Sequence, residues 1–293
     1  MAEPKSPRKT PKVLAAIDKR TREAAKPPLP KAGGQTRKIL VTKEVKVADK
    51  HCVRTDRLTP AKQTTSSDRP SLTSGTDLFD YFTRNSGRLI FKWVHYFDIY
   101  ERHFAAFRGR KIKFLEIGVY HGGSLQMWKN YFGPKAKIIG VDINPQCKAF
   151  EEANITIEIG SQEDPDFLRK LAATHGPFDI VLDDGGHTMR QQIVSFQELY
   201  PQVRPNGLYV CEDLHTSYWN NWQGGYRHPN TFIEYAKGLI DELHAWHSKD
   251  PESFRPTPLT RSAFGMHFYD SMLIIEKRPI IPPSSRTTGT PSF

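Results

Sequence analysis

"KIKFLEIGVYHGGSLQMWKNYFGPKAKIIGVD" runs from Lys111 to Asp142. Its opening, KIKFLEIG (111–118), reads as a strand stopped by Gly118. SLQMWKNYF (124–132) reads as a helix, and AKIIGVD (136–142) as a second strand. Strand, glycine-rich turn, helix and strand in this order form a βαβ unit, whose crossover is right-handed. The same alternation continues downstream. PQCKAFEEA reads as a short helix and ITIEIG (155–160) as a strand. PDFLRKLAATHG reads as a helix ending at Gly176, and FDIVLDD (178–184) as a strand. MRQQIVSFQELYPQV reads as a helix ended by Pro205-Asn206-Gly207, and GLYVCED (207–213) as a fifth strand. Such alternation predicts an α/β fold, a mostly parallel sheet with helices on both faces.

The flanks differ. PNTFIEYAKGLIDELHAW (229–246) predicts a helix with a proline in its first turn. SAFGMHFYD and SMLIIEKR predict an antiparallel hairpin added to the C-terminal side of the sheet. Upstream, TDLFDYFTRN and KWVHYFDIYERHFAAF read as helices. In the second, Phe97, Tyr100, Phe104 and Phe107 share one apolar face, and His95 reads as an ordinary surface or packing histidine.

Charge is uneven along the 293 residues. Residues 1–70 hold 18 Lys+Arg against 7 Asp+Glu, so the whole net charge of +10 belongs to the first quarter and the remainder is nearly neutral. This stretch, with KPPLPKAGG inside it, is too poor in large apolar residues to offset the entropy of ordering. We expect residues 1–75 to be a disordered basic tail, 76–280 the functional body and 281–293 a loose end. The tail reads first as a solubilising linker and second as a nucleic-acid contact, although no aromatic residues interleave its charges as stacking platforms. No long apolar run predicts a membrane span, and MAEPKSPRKTPK lacks a signal peptide's apolar core. Cys52, Cys147 and Cys211 are odd in number and form no CxxC pair, which fits a reducing cytoplasmic setting.

In open parallel sheets ligands bind beyond the carboxyl ends of the strands. Each polar cluster of this chain falls there. Glu116 and Gly118 close the first strand, and Gly122, Gly123 and Ser124 open the next helix. The spacing is not GxGxxG, and a carboxylate there repels a pyrophosphate, so a cationic ligand suits it better, as does a plain tight turn. Asp142 ends the second strand, where an acid can accept both hydroxyls of a ribose. Ser161 and Gln162 follow the third strand and either flank an adenine or cap the helix over 164–174. Asp183/Asp184 and Glu212/Asp213 end strands four and five, which we expect to be neighbours. Four converging carboxylates need a cation, and an all-oxygen set suits a hard one such as Mg²⁺. His187 lies three residues on.

FLEIGVYHGGSLQMW, IIGVDINP, VLDDGGH and CEDLHTSYW together resemble class I S-adenosylmethionine-dependent methyltransferases. The branch is that of the metal-dependent, mycinamicin-type macrolide and sugar O-methyltransferases, whose motifs the cephalosporin-hydroxylase-like proteins share. The likeness covers about residues 76–278. It implies a Rossmann-like sheet and S-adenosylmethionine held by Glu116, Gly118 and Asp142, with Gly122, Ser124, Ser161, Gln162 and Asp183 around it. It also implies Mg²⁺ on Asp184, Glu212 and Asp213, and His187 as general base. The expected reaction is methyl transfer to a hydroxyl of a sugar or other vicinal diol in a small-molecule glycoside or secondary metabolite. The reading leaves room for a homo-oligomer. The rivals are an oxygenase-associated protein, against which the motifs hold no two-His-one-carboxylate set, and a cofactor-sensing body docked on nucleic acid by its tail.

Overall fold

The computed structural model describes residues 76–293, and the expected basic tail, residues 1–75, lies outside them. Seven strands form one sheet: β1 (Lys113–Ile117), β2 (Lys137–Asp142), β3 (Ile155–Ile159), β4 (Phe178–Asp183), β5 (Val203–Cys211), β6 (Ala263–Tyr269) and β7 (Met272–Lys277). Their order is β3-β2-β1-β4-β5-β7-β6. The first five are parallel, and β7 runs antiparallel to both β5 and β6. The α/β sheet and its C-terminal hairpin are therefore as the alternation predicts. The helices are α1 (Asp77–Thr83), α2 (Tyr96–Phe104), α3 (Gly123–Phe132), α4 (Pro165–His175), α5 (Met189–Leu199) and α6 (Phe232–His244).

The pleat sorts side chains between two cores. On one face Phe114, Ile180, Leu182 and Val210 pack under α1, α2 and α3. Tyr100, Phe104, Trp128 and Phe132 form an aromatic cluster there, with Trp128 5.1 Å from Tyr100 and 5.3 Å from Phe114 between ring centroids. On the other face Leu115, Ile117, Val181 and Cys211 pack against α4, α5 and α6. All four expected contact positions of the second helix, Phe97, Tyr100, Phe104 and Phe107, are buried.

Four local expectations are corrected. The helix that opens at Met189 ends at Leu199, and Pro205, Asn206 and Gly207 lie inside β5 instead of stopping it. The second helix begins at Tyr96, not Lys92, because residues 88–93 leave helical geometry to run along the site. PQCKAF forms a 3₁₀ helix, Pro145–Phe150, capped by Asn144. Pro229 lies before α6 rather than in its first turn, and Thr231 caps that helix by accepting from the Glu234 amide. Residues 281–293 carry no helix or strand and are exposed throughout. Among the described residues, no helix is long and apolar enough to cross a membrane. Cys147 and Cys211 are buried free thiols.

Candidate functional site

Register builds the site. Ile117 pairs with Val141 on one side and Asp183 on the other, and Asp183 pairs with Cys211. The next residue of each strand end is Gly118, Asp142, Asp184 or Glu212, so these four form one row along the carboxyl rim. Side chains alternate faces along a strand. Asp184 and Glu212 therefore point to the face of Glu116, two rows below, while Asp183 points to the other. Neighbouring acids of one DD pair thus have different surroundings.

Asp183 is fully buried beneath α5. Oδ1 accepts from Gln162 Nε2 at 3.0 Å, and Oδ2 has no hydrogen-bond partner among the described residues. Burial pushes its pKa up to about 6, against the pull of the His187 charge and the Gln162 bond. A carboxyl raised in this way favours the folded state while it is protonated. Its contribution is complete below the unfolded pKa near 3.8 and is lost as pH rises through about 6. We expect the metal-free protein to lose about 2–3 kcal/mol of stability across that window from this group. Asp183→Asn should flatten the slope in denaturant titrations at stepped pH, and an unchanged slope would show that Asp183 does not titrate there.

Opposite lies a group that the sequence did not single out. Lys92 reaches in from the segment before α2, with its side chain 2% exposed. Nζ lies 2.5 Å from Asp184 Oδ2, 3.0 Å from Glu212 Oε2 and 3.6 Å from Glu116 Oε1. Burial alone pulls this ammonium's pKa down, but Asp184, Glu212 and Glu116 together hold it well above the ordinary lysine value. Glu116 also accepts from Ser124 Oγ at 2.8 Å and Trp128 Nε1 at 3.0 Å. Burial still raises its pKa to about 7, against the Lys92 charge. Glu212 accepts from Tyr100, and burial raises it well above the ordinary range, again against Lys92.

The remaining pair sits in unusual backbone. His187 has φ 57° and Asp213 φ 55°, the left-handed region that costs non-glycine residues strain. The His187 carbonyl accepts from Thr216 Oγ1 at 2.9 Å, and Thr188 next to it forms a capping box with Gln191 at the start of α5. Asp213 accepts from Tyr96 at 2.8 Å, and its Oδ2 lies 3.2 Å from His187 Nε2. Asp184 Oδ1 is 3.9 Å from the same nitrogen. One donor atom from each of Asp184, His187 and Asp213 falls within 4.8 Å of the others, and His187 Nδ1 is buried without a partner among the described residues. The two carboxylates of this set offer the oxygen donors that a hard divalent ion takes, with the imidazole beside them. Glu212 shares the Lys92 ammonium with Asp184.

A cavity of about 750 Å³ runs from these residues over β1 and β2. Gly118, Ser124, Asp142, Ser161, Gln162, Asp184, His187 and Asp213 line it, whereas Glu116, Gly122, Asp183 and Glu212 stand behind its wall. Gly118 has φ 97°, and a Cβ there would lie 2.0 Å from the Asp184 carbonyl oxygen, so only glycine lets the β1 and β4 ends pass this closely. Asp142 accepts from the Val119, Tyr120 and Asn144 amides at 3.0, 3.0 and 2.8 Å. Three of a carboxylate's roughly four lone-pair sites are thus used within the fold. The helix cap after β3 is Asp164, which leaves Ser161 and Gln162 facing the cavity. Trp93, Tyr120, Trp219 and Trp222 wall its outer part.

A second group, His103, His267 and Glu276, also brings donor atoms within 4.8 Å of one another, but it does not line this cavity.

Comparison with known proteins agrees with the fold. Residues 115–214 match the methyltransferase domain family. The demethylmacrocin O-methyltransferase of Streptomyces fradiae is 42% identical over 202 residues, 64% of this chain and 50% of the relative. The mycinamicin VI 2''-O-methyltransferase of Micromonospora griseorubida is 38% identical over 209 residues, 67% and 50% of the two chains. The chain thus spans about half the length of the curated relatives it matches. The solved MycE methyltransferase of the mycinamicin biosynthetic pathway, in complex with Mg and S-adenosylhomocysteine, superposes with a TM-score of 0.61 at 37% identity, covering 73% of this chain and 56% of that one.

Proposed function

We propose that this chain, whose body has the class I methyltransferase fold, transfers a methyl group from S-adenosylmethionine to a sugar hydroxyl of a small-molecule glycoside, with Mg²⁺ assistance. The observation that carries the reading is the convergence of Asp184, His187 and Asp213 at one end of a cavity that continues over Gly118 to Asp142.

Asp142, Ser161 and Gln162 would hold the nucleoside part of the cofactor, and Gly118 and Ser124 would face the rest of it. Glu116 and Asp183 support that wall from behind rather than by direct contact. Asp184 and Asp213, with Glu212 beside Lys92, would hold the ion. When bound, the cofactor supplies an electrophilic methyl on a positively charged sulfur, and the metal lowers the pKa of a hydroxyl. His187 takes the hydroxyl proton, and Asp213 stabilises the resulting imidazolium. The oxygen–methyl bond forms as the sulfur–methyl bond breaks, and S-adenosylhomocysteine leaves uncharged at sulfur. Trp93, Trp219 and Trp222 offer apolar faces for a sugar ring and its aglycone, and exclude water from the reacting groups. A vicinal diol would meet the ion with both hydroxyls and fix the angle of attack.

The test is calorimetry with S-adenosylmethionine and S-adenosylhomocysteine, with and without Mg²⁺, which needs no knowledge of the acceptor. Neither cofactor binding would end the reading. Asp142→Ala should weaken cofactor binding by about 1.5–3 kcal/mol, the worth of a hydrogen bond to a charged group. Unchanged affinity in a folded variant would remove Asp142 from the site.

A further inference from the structure

Glu116, Asp184 and Glu212 surround one ammonium, and Asp213 adds a fourth carboxylate at the side of Asp184. A buried carboxylate without a cation is costly, so such a group must be compensated whether or not a metal is present. Lys92 supplies one charge from inside the fold. Its ammonium sits 5.8 Å from the Tyr100 ring centroid and 6.0 Å from that of Trp128, so the site around it is closed by aromatic rings as well as acids. It bridges two of the carboxylates that the metal reading assigns to the ion, Asp184 and Glu212.

We propose that Lys92 is a built-in counter-cation for the metal site, holding Asp184 and Glu212 together in the metal-free protein and opposing the divalent ion when it binds. This rests on the metal reading above. It makes Lys92 a positioning residue rather than a catalytic one. It also accounts for the side chain's origin. The segment that carries Lys92 places Leu89, Phe91 and Trp93 along the cavity, so the same ion pairs fasten that wall to the rim. With Lys92 present, the carboxylates keep their places without metal, and affinity for the ion is moderated by a like charge. Without it, the ion becomes the compensating cation for these carboxylates among the described residues.

The test uses the full chain as wild type, Lys92→Met and Lys92→Arg. Mn²⁺ binding is followed by paramagnetic resonance, and melting is followed in chelator and in excess Mn²⁺. We expect Lys92→Met to melt several degrees lower in chelator, to regain most of that loss with Mn²⁺, and to bind Mn²⁺ about tenfold or more tighter, because a like charge beside a divalent ion is gone. Lys92→Arg should stay close to wild type in both readouts. If Lys92→Met does not fold in chelator, folding restored by Mn²⁺ supports the proposal, and no restoration overturns it. A stability loss that metal does not repair, or a weakened or unchanged Mn²⁺ affinity in Lys92→Met, would show a purely structural lysine and overturn it. No Mn²⁺ binding by wild type or any variant would overturn the metal reading itself, and this inference with it.

Discussion

Replacing His187 with alanine is expected to lower methyl transfer about 10²–10⁴-fold, the usual worth of a positioned general base, while cofactor and Mg²⁺ still bind. The fold should tolerate the change. His187 is a loop residue, and its carbonyl bond to Thr216 and the Thr188 cap do not depend on the imidazole. The geometry also defines the competing role. With Nε2 3.2 Å from Asp213 and 3.9 Å from Asp184, the ring could serve as a ligand or an orienting partner of the acids. In that case His187→Ala would lose metal affinity in step with rate, and excess Mg²⁺ would restore turnover. Single-turnover rates across a Mg²⁺ series separate the two, and rescue by metal would sink the base assignment while leaving the metal site standing.

The second large effect concerns the acids. Asp184→Asn and Asp213→Asn should each cut metal affinity and turnover together, by about 100-fold or more, since even partners of ligands are worth 10–100-fold. Glu212→Gln should behave differently from both. Its carboxylate is fully buried on Lys92 and Tyr100, so the variant leaves the ammonium short of a partner and should also lower stability by about 3–5 kcal/mol. Calorimetric Mg²⁺ titration beside thermal melting reads both quantities. An Asp184→Asn protein that binds Mg²⁺ as wild type does would remove that residue from the ion.

Much of this arrangement was legible in the sequence because it depends on local rules. Strand and helix lengths, glycine stops and the late hairpin gave the sheet, and strand-end position gave the rim. Side-chain direction was less legible. Asp183 and Asp184 look equivalent in a string, yet the pleat sends one beneath α5 and the other to Lys92. Glu116 reads as a ligand group, but its row places it behind the cavity, on Ser124 and Trp128. Lys92 was missed because KWVHYF continues the apolar spacing of α2, so the residue looked like the first turn of a helix. The available signal was a lone lysine inside the otherwise apolar and aromatic stretch LIFKWVHYF. Long-range pairing across 92 and 120 residues has no trace in local pattern.

The left-handed backbone at His187 and Asp213 has a practical consequence for anyone engineering this protein. Each residue gives up about 1–2 kcal/mol relative to glycine in that conformation. A thermostabilisation screen scored on melting temperature alone would therefore reward glycine at both positions, and every such winner would discard the proposed base or a proposed ligand. Libraries meant to harden this scaffold need those two sites frozen, with the gain sought in surface helices and loops remote from the carboxyl rim.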